Sequence, residues 1–294
     1  MSSPAVVRES CRAKLNLFLD VAGRRADGFH DIVTVFHEID LADDLEARLV
    51  DGRPGDVTIE LAGRSASDGT AVPADGRNLA VRAAKLLLAE ADSRATIALR
   101  LVKRIPTGGG LGGGSADAAG ALRAVNRLLG LGASGEALER IGLEIGSDVP
   151  FLVKGGTAIG RGRGEILERI DDVPKFRFAL MHPDFGVSTA EVYRRVTPPF
   201  GAAGGLADVV AALRSGDAKR LGLVCRNTLE APAIRAEPRL GEALAAAREV
   251  LGGLVHMTGS GSTLFVPEVF VDIRHEFSLA RARCAHFRGF TMDC

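Results

Sequence analysis

The sequence predicts an α+β fold of two domains, and three observations carry that reading. Strand-like and helical runs are mixed along the chain without strict βαβ alternation. A length of 294 residues suffices for one large or two ordinary domains with a real core. Gly155-Gly156, near the middle, marks a soft boundary between residues 1–155 and 156–294, and the cleft there is the expected functional site.

Taken in order, the elements are these. Around Lys14 apolar Ala13, Leu15, Leu17 and Leu19 alternate with Lys14, Asn16 and Phe18, so Lys14 and Asn16 share one strand face. A charged head in such a strand is most often solvated. Val33 to Leu49 and Val57 to Leu61 read as strands, and Leu61 to Asp75 as a Gly/Ser/Asp-rich loop. Asn78 caps a helix running through Ala84, Leu87 and Leu88. Ala95 to Ile105 is strand-like and feeds a glycine-rich run. A helix then begins near Ser115 and ends at Gly130, and a second spans Ser134 to about Ile145. Asp148 follows a helix stop at Gly146 and precedes Val149-Pro150, a pair that predicts extended chain. Val149 to Ile170 reads as strand with a turn at Gly160 to Gly164, and Phe176 to Met181 as another strand. Helices are expected at Thr189–Val196, Leu206–Arg214 and Leu240–Val250, with a hairpin over Val255–Val266.

Composition narrows the function classes. A formal net charge of +0 gives no bulk attraction toward nucleic acid or an anionic membrane. Arg8 and Glu9 arrive before any apolar leader segment can form, and the apolar stretch Leu251 to Val271 is broken by glycines, His256, Pro267 and Glu268, so neither a secretory signal nor a membrane span is expected. Cys11, Cys225, Cys284 and Cys294 are far apart without C-x-x-C spacing; reduced thiols in a cytoplasmic protein are expected, with no disulfide framework and no zinc site. No H-E-x-x-H or comparable histidine pair occurs, so no protein-held metal is assigned.

The most informative stretch is Pro106-Thr107-Gly108-Gly109-Gly110-Leu111-Gly112-Gly113-Gly114-Ser115-Ala116-Asp117. Each glycine costs conformational entropy on ordering, so such a run is kept where backbone must come close to something. Placed before a helix, it gathers N–H groups and the positive end of the helix dipole at one spot, an anion site suited to phosphate. It is not a Walker A loop, because no Lys precedes Ser115. Gly108, Gly110 and Gly113 satisfy G-x-G-x-x-G formally, but no second strand brings an acid roughly 20 residues on, which argues against a dinucleotide fold. A protein-kinase glycine loop is argued against by the absence of H-R-D; Asp184-Phe185-Gly186 does read D-F-G, but without that partner motif it carries no weight.

The pattern P-x-G-G-G-L-G-G-G-S-[AS]-[DN]-A-A resembles the second motif of the GHMP superfamily of small-molecule kinases (galactose, homoserine, mevalonate and phosphomevalonate kinases). The likeness spans nearly the whole chain. Ala13-Lys14-Leu15-Asn16-Leu17-Phe18-Leu19 matches the first motif, and Gly146-Ser147-Asp148-Val149-Pro150-Phe151 the segment carrying the family's catalytic Asp. Thr258-Gly259-Ser260-Gly261-Ser262 matches the third motif, while Val187 to Tyr193 and Asn227 to Glu230 match substrate-domain segments. A-K-L-N-L together with Gly28-Phe29-His30 is similar to the branch whose substrate is the cytidyl-diphosphate of methylerythritol.

The resemblance implies an N-terminal ribosomal-protein-S5-like, ATP-binding domain and a C-terminal ferredoxin-like α/β substrate domain, acting in non-mevalonate isoprenoid synthesis. Asp148 is implied as general base for the substrate's 2-hydroxyl, with Lys14 beside it. Pro106, the run from Gly108 to Gly114 including Leu111, Ser115 and Ala116 would hold ATP, with Mg²⁺ bridging the β- and γ-oxygens. Asn78 matches a nucleotide-side position, although helix capping explains it equally well. Ser115 can likewise cap its helix, and Asp117 is most simply a helix-dipole residue. Phe29 and Tyr193 would sandwich the cytosine, Phe29 standing where Tyr is common, and His30 would meet the base edge. Asn16, Thr258 and Gly259 complete the expected substrate side. A mevalonate- or homoserine-type kinase and a non-catalytic nucleotide sensor are the alternatives, and a monomer or weak homodimer is expected.

Overall fold

The computed structural model describes residues 6–63, 72–201, 203–267 and 287–293; Cys284, Cys294, residues 64–71 of the predicted loop and residues 268–271 of the apolar stretch lie outside them. The chain forms two compact units. The first comprises residues 1–14, 40–107 and 112–155, and the second residues 15–39, 108–111 and 156–294. The chain passes from one to the other within its first two strands, β1 (Val6–Arg24) and β2 (His30–Leu49), and again within the glycine run.

In the first unit the later part of β2 pairs antiparallel with β4 (Ile97–Lys103), from Asp44↔Val102 to Leu49↔Ile97. The strand β3 (Val57–Gly63) lies parallel on the outer side of β4. Helix α1 (Leu79–Glu90) starts at Asn78, whose side chain accepts from the Ala80 N–H. It packs on α2 (Gly113–Leu129), which buries an alanine-rich face of Ala116, Ala118, Ala119, Ala121 and Ala124 with Leu122 and Val125. Small residues let α2 approach the sheet closely: a Cβ on Gly120 would fall 2.2 Å from Cys11 Sγ. The helix expected from Ser134 to about Ile145 is α3 (Gly135–Leu143), with Ser134 as its N-cap accepting from Ala137 N. The predicted strand after Asp148 is instead a short helix, α4 (Val149–Lys154). Pro150 lies in its first turn, where the N–H it lacks would have had no helical partner.

In the second unit β2 pairs antiparallel with β5 (Thr157–Arg161), which forms a hairpin with β6 (Ile166–Arg169). A second sheet has the order β11-β7-β10-β9, all antiparallel, from β7 (Phe178–Pro183), β9 (His256–Met257), β10 (Leu264–Pro267) and β11 (Phe287–Asp293). The two-residue β8 (Arg226–Asn227) lies parallel to β1 at Phe18 and Leu19. The predicted helices appear as α5 (Thr189–Arg194), α6 (Leu206–Ser215) and α9 (Arg239–Leu251). Between them α7 (Ala218–Val224) and α8 (Glu230–Ala236) are additional, each only two turns long and so without a readable period. Leu180's neighbours Ala179 and Met181 join Val192, Leu229, Leu240, Leu244 and Leu264 in this unit's core. No helix among the described residues is long and apolar enough to cross a membrane.

Candidate active site

Lys14 is buried rather than solvated, at 3 % exposure, because residues Ala13 to Val21 of β1 are buried on both faces. Its Nζ lies 3.6 Å from Asp148 Oδ2, and the Asp148 side chain keeps 32 % of its surface open. Asp148 immediately precedes α4 and spends no side-chain bond on capping it. Burial pushes the Lys14 pKa below the ordinary lysine value, against the pull of Asp148, which favours the charged form. The stem of Lys14 runs under the glycine run: a Cβ on Gly112 would meet its Cε at 3.2 Å and Cγ at 3.3 Å.

Helix α2 begins at Gly113, two residues before Ser115, because Gly112 takes a left-handed conformation (φ 72°) as N-cap. Ser115 thus lies inside the first turn and does not cap the helix. Gly112, the N-cap of α2, has no side chain with which to cover the leading N–H groups of the helix. Ser115 is half-buried, Ala116 is buried and Gly114 is exposed. Pro106 precedes the run and is half-buried. Asn78 uses both ends of its side chain within the protein, accepting from Ala80 N at 2.9 Å and donating to Pro73 O at 2.8 Å.

In the second unit the tip of the run, Gly108 to Leu111, is held against the third motif. Val187 N donates to Gly108 O at 3.3 Å and Thr263 N to Gly109 O at 3.1 Å. Gly110 (φ 76°) comes so near that a Cβ would sit 2.3 Å from Thr258 O. The Thr258 hydroxyl accepts from Asn16 N at 2.9 Å, and Asn16 Nδ2 donates to Thr34 Oγ1 at 2.8 Å. Thr34 in turn donates to Phe18 O at 2.7 Å. Asn227 fastens the same turn, its amide donating to Met257 O and Gly259 O, each at 2.8 Å. Asn227 lies in a segment matched to the substrate domain but carries no expected role there, and Thr34 is not expected at the site at all, its partner lying 16 residues away.

Phe29 stands 52 % exposed rather than in the core, with the Arg163 guanidinium 4.9 Å over its ring. An aromatic held open this way has a face to give a ligand. The His30 ring lies 5.3 Å from that of Tyr193, which packs half-buried on the second unit's core. Burial, then the charge of Arg24, lowers the His30 pKa, favouring a neutral ring at pH 7. All six expected substrate residues (Asn16, Phe29, His30, Tyr193, Thr258 and Gly259) fall in the second unit, and Lys14 and Asp148 in the first.

The comparisons with known proteins agree on one family. Residues 78–156 match the family described as GHMP kinases N terminal domain. A protein of Pelotomaculum thermopropionicum named 4-diphosphocytidyl-2-C-methyl-D-erythritol kinase is 42% identical over 263 residues, covering 88% of each chain. One of the same name from Leifsonia xyli subsp. xyli is 38% identical, covering 94% of each. A solved structure, described as 4-(cytidine 5'-diphospho)-2C-methyl-D-erythritol kinase, superposes with TM-score 0.76 at 34% identity and covers 98% of both chains.

Proposed function

We infer, from the premise that the chain belongs to the 4-diphosphocytidyl-2-C-methyl-D-erythritol kinase family of GHMP kinases, how its residues divide the work of phosphoryl transfer. The protein is a small-molecule kinase. Its reaction moves the γ-phosphoryl group of ATP to the 2-hydroxyl of 4-diphosphocytidyl-2-C-methyl-D-erythritol, giving the 2-phosphate and ADP in the non-mevalonate route to isoprenoid precursors. The observation that carries the residue assignment is the Lys14–Asp148 pair at 3.6 Å, with Lys14 lying under Gly112.

Asp148 is the general base. An alcohol is far less acidic than a carboxylic acid, so Asp148 takes the proton late, while the phosphoryl group is only loosely bonded to either oxygen. Lys14 sets its positive charge beside the carboxylate; a unit-charge pair at 4 Å and an effective dielectric near 20 is worth roughly 4 kcal/mol before desolvation. That burial cost is what lowers the Lys14 pKa, so the amino group is tuned as well as placed.

Nucleotide handling is assigned to residues 1–155 and substrate handling to residues 156–294, with the segment 15–39 serving the substrate side. The triphosphate is assigned to the glycine run: its backbone passes too close to Thr258 and Lys14 for side chains at Gly110 or Gly112, and Gly112 opens α2 with no side chain over the helix N–H groups. Among the described residues no group of three His, Cys, Asp or Glu side chains is placed to hold a metal. Mg²⁺ would come with the nucleotide and would neutralise charge on its phosphates. Phe29 and Tyr193 present the aromatic faces and His30 the polar edge for cytosine. The enzyme is assigned to the cytoplasm.

An ADP-release assay across the cytidyl-diphosphate of methylerythritol, mevalonate and homoserine tests this. Turnover is expected with the first alone. Turnover with either of the others, or with none, overturns the substrate assignment.

A further inference from the structure

Asp43, Lys103 and Asp117 form a buried ion cluster that the chemistry above leaves unused. Lys103 ends β4, just before the glycine run, and Asp117 lies on α2, just after it. Lys103 Nζ donates to Asp117 Oδ2 at 2.6 Å and also to Asp43 Oδ2, on β2. The other oxygen of Asp43 accepts from the backbone N–H of Arg104 and, at 2.9 Å, from that of Ile105. All three side chains are buried. At Gly113, which opens α2, a Cβ would strike Ile105 Cγ2 at 2.9 Å and stand 3.6 Å from Lys103 Nζ. The chain leading into the run and the helix leading out of it are thus fastened together beneath it.

We propose that Asp43, Lys103 and Asp117 are positioning residues for nucleotide binding: by tying the end of β4 to α2 they fix the gap the glycine run must bridge, and with it the direction of the N–H groups that open α2. The proposal rests on the reading that this run takes the nucleotide's phosphates. A purely stabilising role fits the cluster poorly. Two carboxylates face one ammonium, and Asp117 Oδ1 is buried with no hydrogen-bond partner. Burial, aided by Asp43 and opposed by Lys103, pushes the Asp117 carboxyl up. Apolar residues of the same volume would stabilise this region at least as well, but they would not set one fixed spacing.

The test compares ATP affinity by calorimetry, and KM for each substrate, in the wild type, Asp117→Leu, Asp117→Asn and Asp43→Asn. Asp117→Leu should weaken ATP binding tenfold or more and raise its KM alike, with KM for the cytidyl substrate within twofold. Asp117→Asn keeps an oxygen toward Lys103 and should recover to within threefold of the wild type. Asp43→Asn keeps the bonds to Arg104 and Ile105 but loses the tie to Lys103, and should raise the KM for ATP three- to tenfold. Should Asp117→Leu fail to fold, Asp43→Asn decides alone. Unchanged ATP affinity in a folded Asp117→Leu or Asp43→Asn protein, or both KM values rising together, overturns the proposal and leaves the kinase reading standing. A wild type that binds no nucleotide overturns both.

Discussion

Lys14 Nζ and Asp148 Oδ2 lie 3.6 Å apart, the amino group almost wholly buried and the carboxylate a third open. That asymmetry gives the pair a direction: the cation is fixed inside the protein, and the group that can meet a ligand is the acid. Asp148→Asn removes the base while keeping size and much of the hydrogen bonding. Turnover should fall well over tenfold, a loss above about 1.4 kcal/mol in the barrier, while ATP affinity stays within threefold. Single-turnover kinetics with calorimetry separate the two, and near-normal turnover would remove Asp148 from the base role.

The depressed pKa of Lys14 has opposite consequences for stability and activity. Buried Lys14 holds its proton less firmly than in the unfolded chain, where lysine titrates near 10.5. Between the folded value and 10.5 the unfolded chain binds more protons, so this residue's contribution to stability rises with pH across that window. Activity falls over the same range, because a neutral amine no longer sets a positive charge beside Asp148 and the phosphoryl group in transfer. The alkaline limb of kcat/KM is therefore expected below 10.5, and Lys14→Arg, which does not titrate there, should lack that limb. A limb that persists unchanged in Lys14→Arg belongs to another group.

Phe29 is open and backed by Arg163, so its deletion should cost ligand rather than fold. Phe29→Ala is expected to weaken binding of the cytidyl substrate by about 1–3 kcal/mol, the range for one stacked base. ATP affinity should be unchanged. Equal losses for both ligands in titration calorimetry would make Phe29 structural.

Gly110→Ala should be among the most damaging single-methyl changes. The positive φ alone costs a non-glycine residue about 1–2 kcal/mol, and the added Cβ would meet Thr258 O at 2.3 Å. Melting should fall by at least about 4 °C, with ATP turnover lost in proportion to the displaced loop. A thermal scan that matches the wild type would mean the run adopts a different path.

Residue pattern made the helix starts at Asn78 and Ser134, the strand before the glycine run and the run itself legible, because each depends on neighbours within a few positions. What it hid was set at a distance. Val149-Pro150 reads as extended chain, yet a proline costs nothing in a first helical turn, and packing of Phe151 and Leu152 decides for helix. Ser115 looked able to cap α2, but Gly112 reaches a left-handed conformation more cheaply and starts the helix earlier. Lys14 suggested a solvated strand face until β1 proved covered on both sides. Asp117, plausible as a simple dipole residue, instead meets a lysine 14 positions earlier, and Asp43 reaches across 60. Periodicity carries no trace of such pairings.

The alternation of the two units along the chain bears on how this enzyme can be dissected. Severing the gene after Gly155 would give a leading fragment whose β1 residues Phe18 and Leu19 lack β8, and whose β2 residues Thr34 to His37 lack β5. Buried hydrophobic strand would become raw edge, prone to self-association. Split-protein reporters and half-gene swaps among relatives should therefore misbehave at that position, however natural the glycine pair there looks.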